Sequence, residues 1–321
     1  MSIEKGKRQM VYRECNTVAE VFREVFELVR WDRSHIETGE EVDKVMYYFR
    51  GENKNHAPKG SPCPPSVPAT PSLFRDDKYR QNEHVIFNEA IRCYPQEFPA
   101  GETTFERLTR MAHFGLPTRL LDVTPRLATA IGMASLPSPG DDEKKFFTWN
   151  GFIRVYRVNK DKIKYSTSDT IVALSNLARI KPENIKIEDL RYLAYECKNE
   201  RAGFYWKEGS DVSQKLMGDI KKVWCVRPVN NNVRIQAQRG EFFIFGCGDK
   251  KEKIDATFSE SDYYNEEAAT DGIAEIGIIT LTSSLKHEVK EMAEILDVTE
   301  DRLYPDFGRF HKVIKERYGT K

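Results

Sequence analysis

The sequence predicts a mixed α+β protein, and three observations carry that expectation. In "NTVAEVFREVFELVRWD" (16–32), Val18, Val21, Phe22, Val25, Phe26, Leu28 and Val29 recur at helical spacing. By contrast, "VMYYFR" (45–50), "GFIRVYRV" (151–158), "EFFIFG" (241–246) and "IAEIGIITL" (273–281) are β-branched and aromatic runs of strand length. The two patterns interleave with no internal repeat and no clean linker, which favours one α+β domain with a helical N-terminal portion and a helical C-terminal tail.

Taken in order, Thr17 and Glu20 form a capping box for the first helix. The strand at 45–50 ends on Arg50-Gly51. Residues 51–72 hold six of the fifteen prolines, so they read as an irregular connection. A long irregular connection inside a domain is usually functional or disordered. Helical patterns follow at 77–94 and 102–113. A short strand at 118–123 leads to a helix from Pro125, with Thr124 placed to cap it. After the strand at 151–158 comes a helix at 168–180, capped by Ser168 or Asp169. Residues 181–220 read as helical in part. "KVWCVRP", "VRIQAQ" and "EFFIFG" read as three strands between 222 and 246. The polar, acidic stretch 249–272 reads as a surface loop, and 283–296 and 306–318 as closing helices.

Composition narrows the classes. Fifty basic and fifty acidic residues leave no net charge, so no global field draws the chain onto nucleic acid, although a local basic groove is compatible with that balance. None of the six cysteines forms a CxxC pair, which argues against a zinc ribbon or thioredoxin-type site. The opening "MSIEKGKRQMVYREC" lacks the apolar core of a signal peptide, and no run approaches the roughly 20 apolar residues that span a bilayer. A cytoplasmic protein with reduced thiols and no membrane partner is expected. P-loop, GxGxxG, HExxH and GxSxG motifs are missing, which argues against the enzyme classes they mark.

Chemistry concentrates in two segments. In "MAHFGLPTRLLDVTPRLATAIGMAS" (111–135), His113, Thr118, Arg119, Asp122 and Thr124 fall within twelve positions. Each also has a plain structural role available. His113 reads as a helix C-terminal cap, Arg119 as the partner of Asp122 or another acid, and Thr124 as an N-cap. A capped helix start attracts anions, and the small residues Ala128, Ala130, Gly132 and Ala134 let a backbone or ligand approach. In "RIQAQRGEFFIFG" (234–246), Gln238 and Glu241 flank Gly240, read either as a hairpin turn with polar tips or as groups facing a ligand.

The series Arg50-Gly51 after aromatics, "PSLFR" (71–75), "HFGLPTRLLDVT" (113–124), "RIQAQRGEFF" (234–243) and "LYPDFGRF" (303–310) resembles the FRG domain family, named for its Phe-Arg-Gly motif. The match is ordered and runs from about 45 to 312, leaving 1–44 as the N-terminal helical portion and 313–321 as a tail. Gln238, Gly240 and Phe242 match that family's Gln-x-Gly-x-Phe pattern. The order of motifs is also similar to that of ADP-ribosyltransferases, which have a split β core. That likeness implies NAD as substrate, bound by Arg50, Gly51, Tyr48, Thr118, Arg119, Asp122 and Thr124. It implies Arg50, Gln238, Glu241 and His113 as catalytic groups, and no metal. Two departures stand out: Asp122 occupies a place where serine is usual, and the acidic turn is spaced Gln-x-x-Glu, so Gln238 and Glu241 both remain candidates. The implied setting is a bacterial toxin or anti-phage effector that modifies a nucleic acid or a protein, with an antitoxin or regulatory protein as a further partner. Lys160, Lys162 and Lys164 would touch phosphates if the acceptor is a nucleic acid. The alternatives are a non-catalytic nucleotide- or protein-binding module, and a metal-dependent nuclease built on Asp122 and Glu241.

Overall fold

Alternate residues of the segment Glu241–Phe245 belong to different apolar clusters: Phe243 and Phe245 to one, Phe242 and Ile244 to another. A strand that is apolar on both faces must be covered on both. Here the cover is a second sheet on one side and helices on the other. The computed structural model describes residues 11–36, 42–53, 69–138, 142–184, 190–207, 209–247 and 272–305. The expectations for 54–68, 249–271 and 306–318 lie outside these described residues.

The strands are β1 (Val11–Cys15), β2 (Val45–Glu52), β3 (Leu120–Val123), β4 (Gly151–Asn159), β5 (Ile163–Tyr165), β6 (Val223–Arg227), β7 (Glu241–Phe245) and β8 (Ile273–Leu281). They form two mixed sheets of four, ordered β1-β8-β4-β2 and β3-β7-β6-β5. β1 runs parallel to β8 and β5 parallel to β6, and the other pairs are antiparallel. Tyr48, Tyr156 and Val158 of the first sheet pack against Leu121, Val123, Cys225 and Phe243 of the second.

The helices are α1 (Val18–Ser34), α2 (Asp77–Gln81), α3 (Glu83–Cys93), α4 (Thr104–His113), α5 (Leu127–Ser135), α6 (Glu143–Phe146), α7 (Asp169–Asn176), α8 (Arg191–Glu200), α9 (Asp211–Asp219), α10 (Val233–Gln238), α11 (Ser283–Met292) and α12 (Glu300–Leu303). Val21 and Val25 of α1, Ala130 and Ala134 of α5 and Leu285 of α11 cover the outer face of the first sheet. Phe87 of α3, Leu108 of α4 and Leu174 of α7 cover the outer face of the second. The capping box of Thr17 and Glu20 is formed, and Thr103 with Glu106 forms another at α4.

Several elements depart from expectation. "VRIQAQ" is the helix α10, because the Asn232 side chain accepts hydrogen bonds from the Arg234 and Ile235 backbone N–H groups and starts a turn. Its alternating pattern had suggested a strand. The positive-φ residue that ends α10 is Arg239 (φ 44°), not the following glycine. The N–H groups of Arg239 and Gly240 reach back to the Gln236 and Ile235 carbonyls, which completes a Schellman cap. α5 begins at Leu127 rather than Pro125, and Thr124 is not its N-cap. Helix 77–94 breaks at Asn82 into α2 and α3, and helix 168–180 continues past Asn176 only as a 3₁₀ turn. β3 starts two residues after Thr118. β1 and β5 were not expected. The charged start of the chain masked β1, which is a sheet edge, and β5 is only three residues long. No helix among the described residues is long and apolar enough to cross a membrane.

Candidate functional site at the seam of the two sheets

β2 and β3 are edge strands of different sheets, and they meet at one point. Phe49 and Thr124 exchange two backbone hydrogen bonds there, each 2.8 Å long. Arg50 and Asp122 lie beside this bridge. Alternation then fixes what each β2 residue does. Phe49 points to the helices, while Tyr48 points into the core between the sheets. Arg50 and Glu52 follow Tyr48 by two and four residues and share its face.

Gly51 has a steric cause. A Cβ on it would lie 2.2 Å from the Ala130 carbonyl oxygen of α5, and a Cβ on Gly151 would lie 2.3 Å from that of Ala134. The small residues of α5 therefore serve close packing of the helix on β2 and β4. Gly132, on another face of the same helix, packs against Val298 and Leu303.

Arg50 is held on one side only. Its Nε donates to Glu52 Oε1 at 3.0 Å and its Nη1 to the Asp122 carbonyl at 2.9 Å, with the Asp122 carboxylate 3.8 Å away. Nη2 makes no hydrogen bond to any described residue. The side chain is 13% exposed, and that of Asp122 is 44% exposed. Behind Arg50 runs a buried ladder. Glu52 also accepts from Arg154 Nε at 3.0 Å, and Arg154 Nη1 donates to Glu275 at 2.7 Å. Burial raises the Glu52 carboxyl, but Arg154 and Arg50 outweigh it and hold the group at about 2. Burial pushes the Glu275 carboxyl up, opposed by Arg154. The ladder fixes the Arg50 stem as a rigid donor on a strand.

Two titratable residues, Arg75 and His113, flank β3. Arg75 ends the 3₁₀ turn Ser72–Arg75, which docks on the start of β3: Leu73 N–H donates to the Thr118 carbonyl, and Thr118 N–H donates to Ser72 Oγ. Arg75 is exposed as a residue, yet burial of its charged group and then the charge of Arg50 pull its pKa below the ordinary arginine value. His113 ends α4 beside Phe242, with 6.3 Å between ring centroids. Burial, then the charge of Arg234, lowers its imidazole to about 4, with Asp122 acting in the opposite sense. Its backbone carbonyl accepts from Arg234 Nη1 at 3.1 Å.

The remaining expected residues are engaged in the framework. Arg119 is 1% exposed, and its Nε and Nη2 grip both oxygens of Glu83 at 2.8 and 2.6 Å. Its Nη1 donates to the Phe245 and Gly246 carbonyls. The acid it pairs with is therefore Glu83 and not Asp122, and no guanidinium nitrogen is left for a ligand. Thr118 is buried under the Ser72–Arg75 turn. Thr124 Oγ1 donates to the Gln238 carbonyl at 2.9 Å and accepts from the Arg126 N–H at 3.2 Å, tying β3 to the end of α10. The Gln238 side-chain amide is buried and donates to the Leu303 carbonyl at 2.8 Å, which pins α12. Tyr48 is fully buried between the sheets, so its ring has no open face for a nicotinamide.

Glu241 forms a separate cluster. It accepts from Tyr48 Oη at 2.7 Å, lies 3.6 Å from the Cys225 sulfur, and pairs with Arg227 at 3.4 Å. Its side chain is 14% exposed. Burial pushes its carboxyl up, while Tyr48 and Arg227 favour the charged form. Glu241 opens β7 opposite Val123, next to Asp122, but makes no direct hydrogen bond or ion pair with Arg50. Among the described residues no group of three or more His, Cys, Asp or Glu side chains is placed to hold a metal ion. Lys162 and Lys164 lie over the Trp224 ring at 4.9 and 5.0 Å, and Lys162 is buried, which takes it out of a solvated row, whereas Lys164 is half-buried and Lys160 exposed.

Sequence reading missed the role of Glu52, for which the alternation Tyr48-Arg50-Glu52 was available as a signal. No family model, curated protein or solved structure matches the chain.

Proposed function

We propose that the chain is an NAD-dependent ADP-ribosyltransferase whose dinucleotide sits at the seam of the two sheets. One observation carries this reading: Arg50 is fixed on a strand by an internal ion ladder while its Nη2 has no partner among the described residues and the side chain is partly exposed. A planar guanidinium with spare donors suits a phosphate. Two mixed four-stranded sheets joined at one bridge also agree with the split β core that the sequence resemblance implies.

In the proposed reaction Arg50 binds the pyrophosphate. The bond between ribose C1′ and the nicotinamide nitrogen breaks, and both electrons leave with nicotinamide as the neutral base. The oxocarbenium ion at C1′ is then captured by an oxygen or nitrogen of the acceptor, which loses a proton. Glu241 stabilises the developing positive charge, as carboxylates do in glycoside cleavage. Asp122 orients Arg50. His113 stays neutral at physiological pH and is available to take the acceptor's proton. The acceptor is a nucleic acid or a protein, and the toxin or effector setting with a regulatory partner belongs to the same proposal.

The competing reading, a binding module without catalysis, draws support from Gln238, whose amide is committed to Leu303. Incubating the protein with adenylate-labelled NAD and cellular RNA, DNA and protein separates the two. Label transfer that is lost in Arg50→Ala and strongly reduced in Glu241→Gln is the expected result. NAD binding with neither transfer nor hydrolysis would leave the binding module. Absence of both binding and turnover, with an activating partner present, would reject the dinucleotide altogether.

A further inference from the structure

We infer that Tyr48 and Arg227 are positioning residues for Glu241: together they hold its carboxylate charged, with Oε1 left for the developing positive charge, and Tyr48 ties it to the strand that carries Arg50. This rests on the proposed dinucleotide site and gives Tyr48 a role other than stacking on nicotinamide. Glu241 Oε2 accepts from Tyr48 Oη at 2.7 Å and lies 3.6 Å from the Cys225 thiol, while Oε1 meets Arg227 Nε at 3.4 Å. The groups come from three strands in both sheets: Tyr48 from β2, Cys225 and Arg227 from β6, and Glu241 from β7. The Tyr48 ring is fully buried and stands edge-on to Phe243, with 6.4 Å between centroids, so its hydroxyl is held in place. Arg227 is steadied by Met46, whose sulfur accepts from Nη2 at 3.1 Å, and by Tyr165 of β5.

All three neighbours of the carboxylate are donors. An ionised carboxylate accepts from every one of them, whereas a protonated carboxyl carries an O–H that takes up one of those acceptor places. Burial keeps the Tyr48 hydroxyl and the Cys225 thiol protonated at neutral pH, so both stay donors. The set therefore works against the burial that pushes the Glu241 carboxyl up. The two oxygens are also unequal. Oε2 carries two contacts, while Oε1 carries one long contact among the described residues, in a side chain that is 14% exposed. Its remaining lone pairs are the ones a ligand's positive charge can use. Tyr48 and Arg50 stand two positions apart on β2, a rise of about 7 Å. One strand thus carries both the proposed phosphate cation and the hydroxyl that sets the carboxylate, and the Tyr48–Glu241 hydrogen bond spans the two sheets.

The test uses the full chain as wild type, Tyr48→Phe, Arg227→Gln and Arg227→Lys. Arg227 is 36% exposed and Tyr48→Phe keeps the ring, so the variants are expected to fold, and circular dichroism checks this. Carbon-detected NMR of protein labelled at the glutamate carboxyls reads Glu241 directly, its signal assigned by its loss in Glu241→Gln. The Glu241 carboxyl is expected to titrate at higher pH in Tyr48→Phe and in Arg227→Gln, because each loses a donor to the charged form. Arg227→Lys returns it part of the way, since the charge comes back without the fork. Nicotinamide release from NAD across the pH range is the second readout. At neutral pH kcat falls about tenfold in Tyr48→Phe and in Arg227→Gln, with KM for NAD changed by less than about twofold. The acid limb of the profile moves to higher pH in both, because the charged form is lost sooner as pH falls. A merely structural role would lower the rate equally at every pH. That result, or a Glu241 titration unchanged in both variants, overturns the inference. The two proposals fail separately. Glu241 titrations that shift as expected in a protein that never releases nicotinamide remove the transferase reading alone. Release that needs Arg50, with Glu241 indifferent to Tyr48 and Arg227, removes the positioning role alone.

Discussion

Arg50 and Arg119 stand at the ends of neighbouring edge strands, one in each sheet, and sequence gives both the same promise as cations for an anionic ligand. The structure treats them in opposite ways. Arg119 is enclosed, with Glu83 on one flank and two backbone carbonyls on the other. Arg50 is held through Nε and Nη1. The contrast is one of pairing: every guanidinium nitrogen of Arg119 has a partner, whereas Nη2 of Arg50 has none among the described residues.

That contrast can be broken at several points. The largest effect is expected at Arg119. Arg119→Ala leaves Glu83 as a buried carboxylate without its guanidinium, and a loss of about 3–5 kcal/mol is expected in urea denaturation. A variant as stable as wild type would end the structural assignment of Arg119. Next is Gly51→Ala, whose added methyl meets the Ala130 carbonyl at 2.2 Å. Overpacking of this kind costs about 1–3 kcal/mol, and thermal melting measures it. Smaller still is the stability cost of Arg50→Ala, about 1 kcal/mol by the same denaturation, because Glu52 keeps Arg154 as a partner. A cost as large as that of Arg119→Ala would erase the distinction between the two arginines.

The last effect is a slope in stability against pH, and it belongs to the seam. His113 is held near 4 in the folded protein, below its ordinary value of 6.5. Below pH 6.5 the unfolded chain gains a proton that the folded chain takes only near pH 4, so stability falls as pH drops through that window. Glu52, held near 2 against an ordinary 4.5, contributes stability that is present above 4.5 and lost as pH falls toward 2. Glu241 and Glu275, pushed up by burial, act in the opposite sense, and their contribution is lost as pH rises above the ordinary carboxylate value. Denaturation midpoints between pH 7 and 4 for wild type and His113→Gln test the first window. The variant is expected to show the shallower slope, and equal slopes would show that His113 is not held neutral.

Much of the framework was legible from short-range pattern. β2, β4, β6, β7 and β8 follow apolar runs, and α1 follows its capping box. What escaped depended on distance or on a single local override. Glu83 lies 36 positions before Arg119, so their pairing has no local signature. The Asn232 side chain turned an alternating stretch into α10. At the site, Arg50, Asp122 and His113 were identified and do border one seam. Thr118, Arg119, Thr124 and Gln238 were implied by the resemblance, and a motif match does not separate a ligand contact from a tertiary cross-link. Arg75 closes the "PSLFR" motif, but its turn docks on Thr118 through Ser72, 46 positions away in sequence, and that docking has no local signature.

The central claim is that Arg50 is the cation on which dinucleotide chemistry depends. Nicotinamide release from NAD by wild type and by Arg50→Gln, measured where both proteins are folded, tests it most directly. The account predicts release by wild type and a rate at least about 100-fold lower in the variant, the scale of loss when one preorganised electrostatic contact is removed. Equal rates in the two proteins would contradict it.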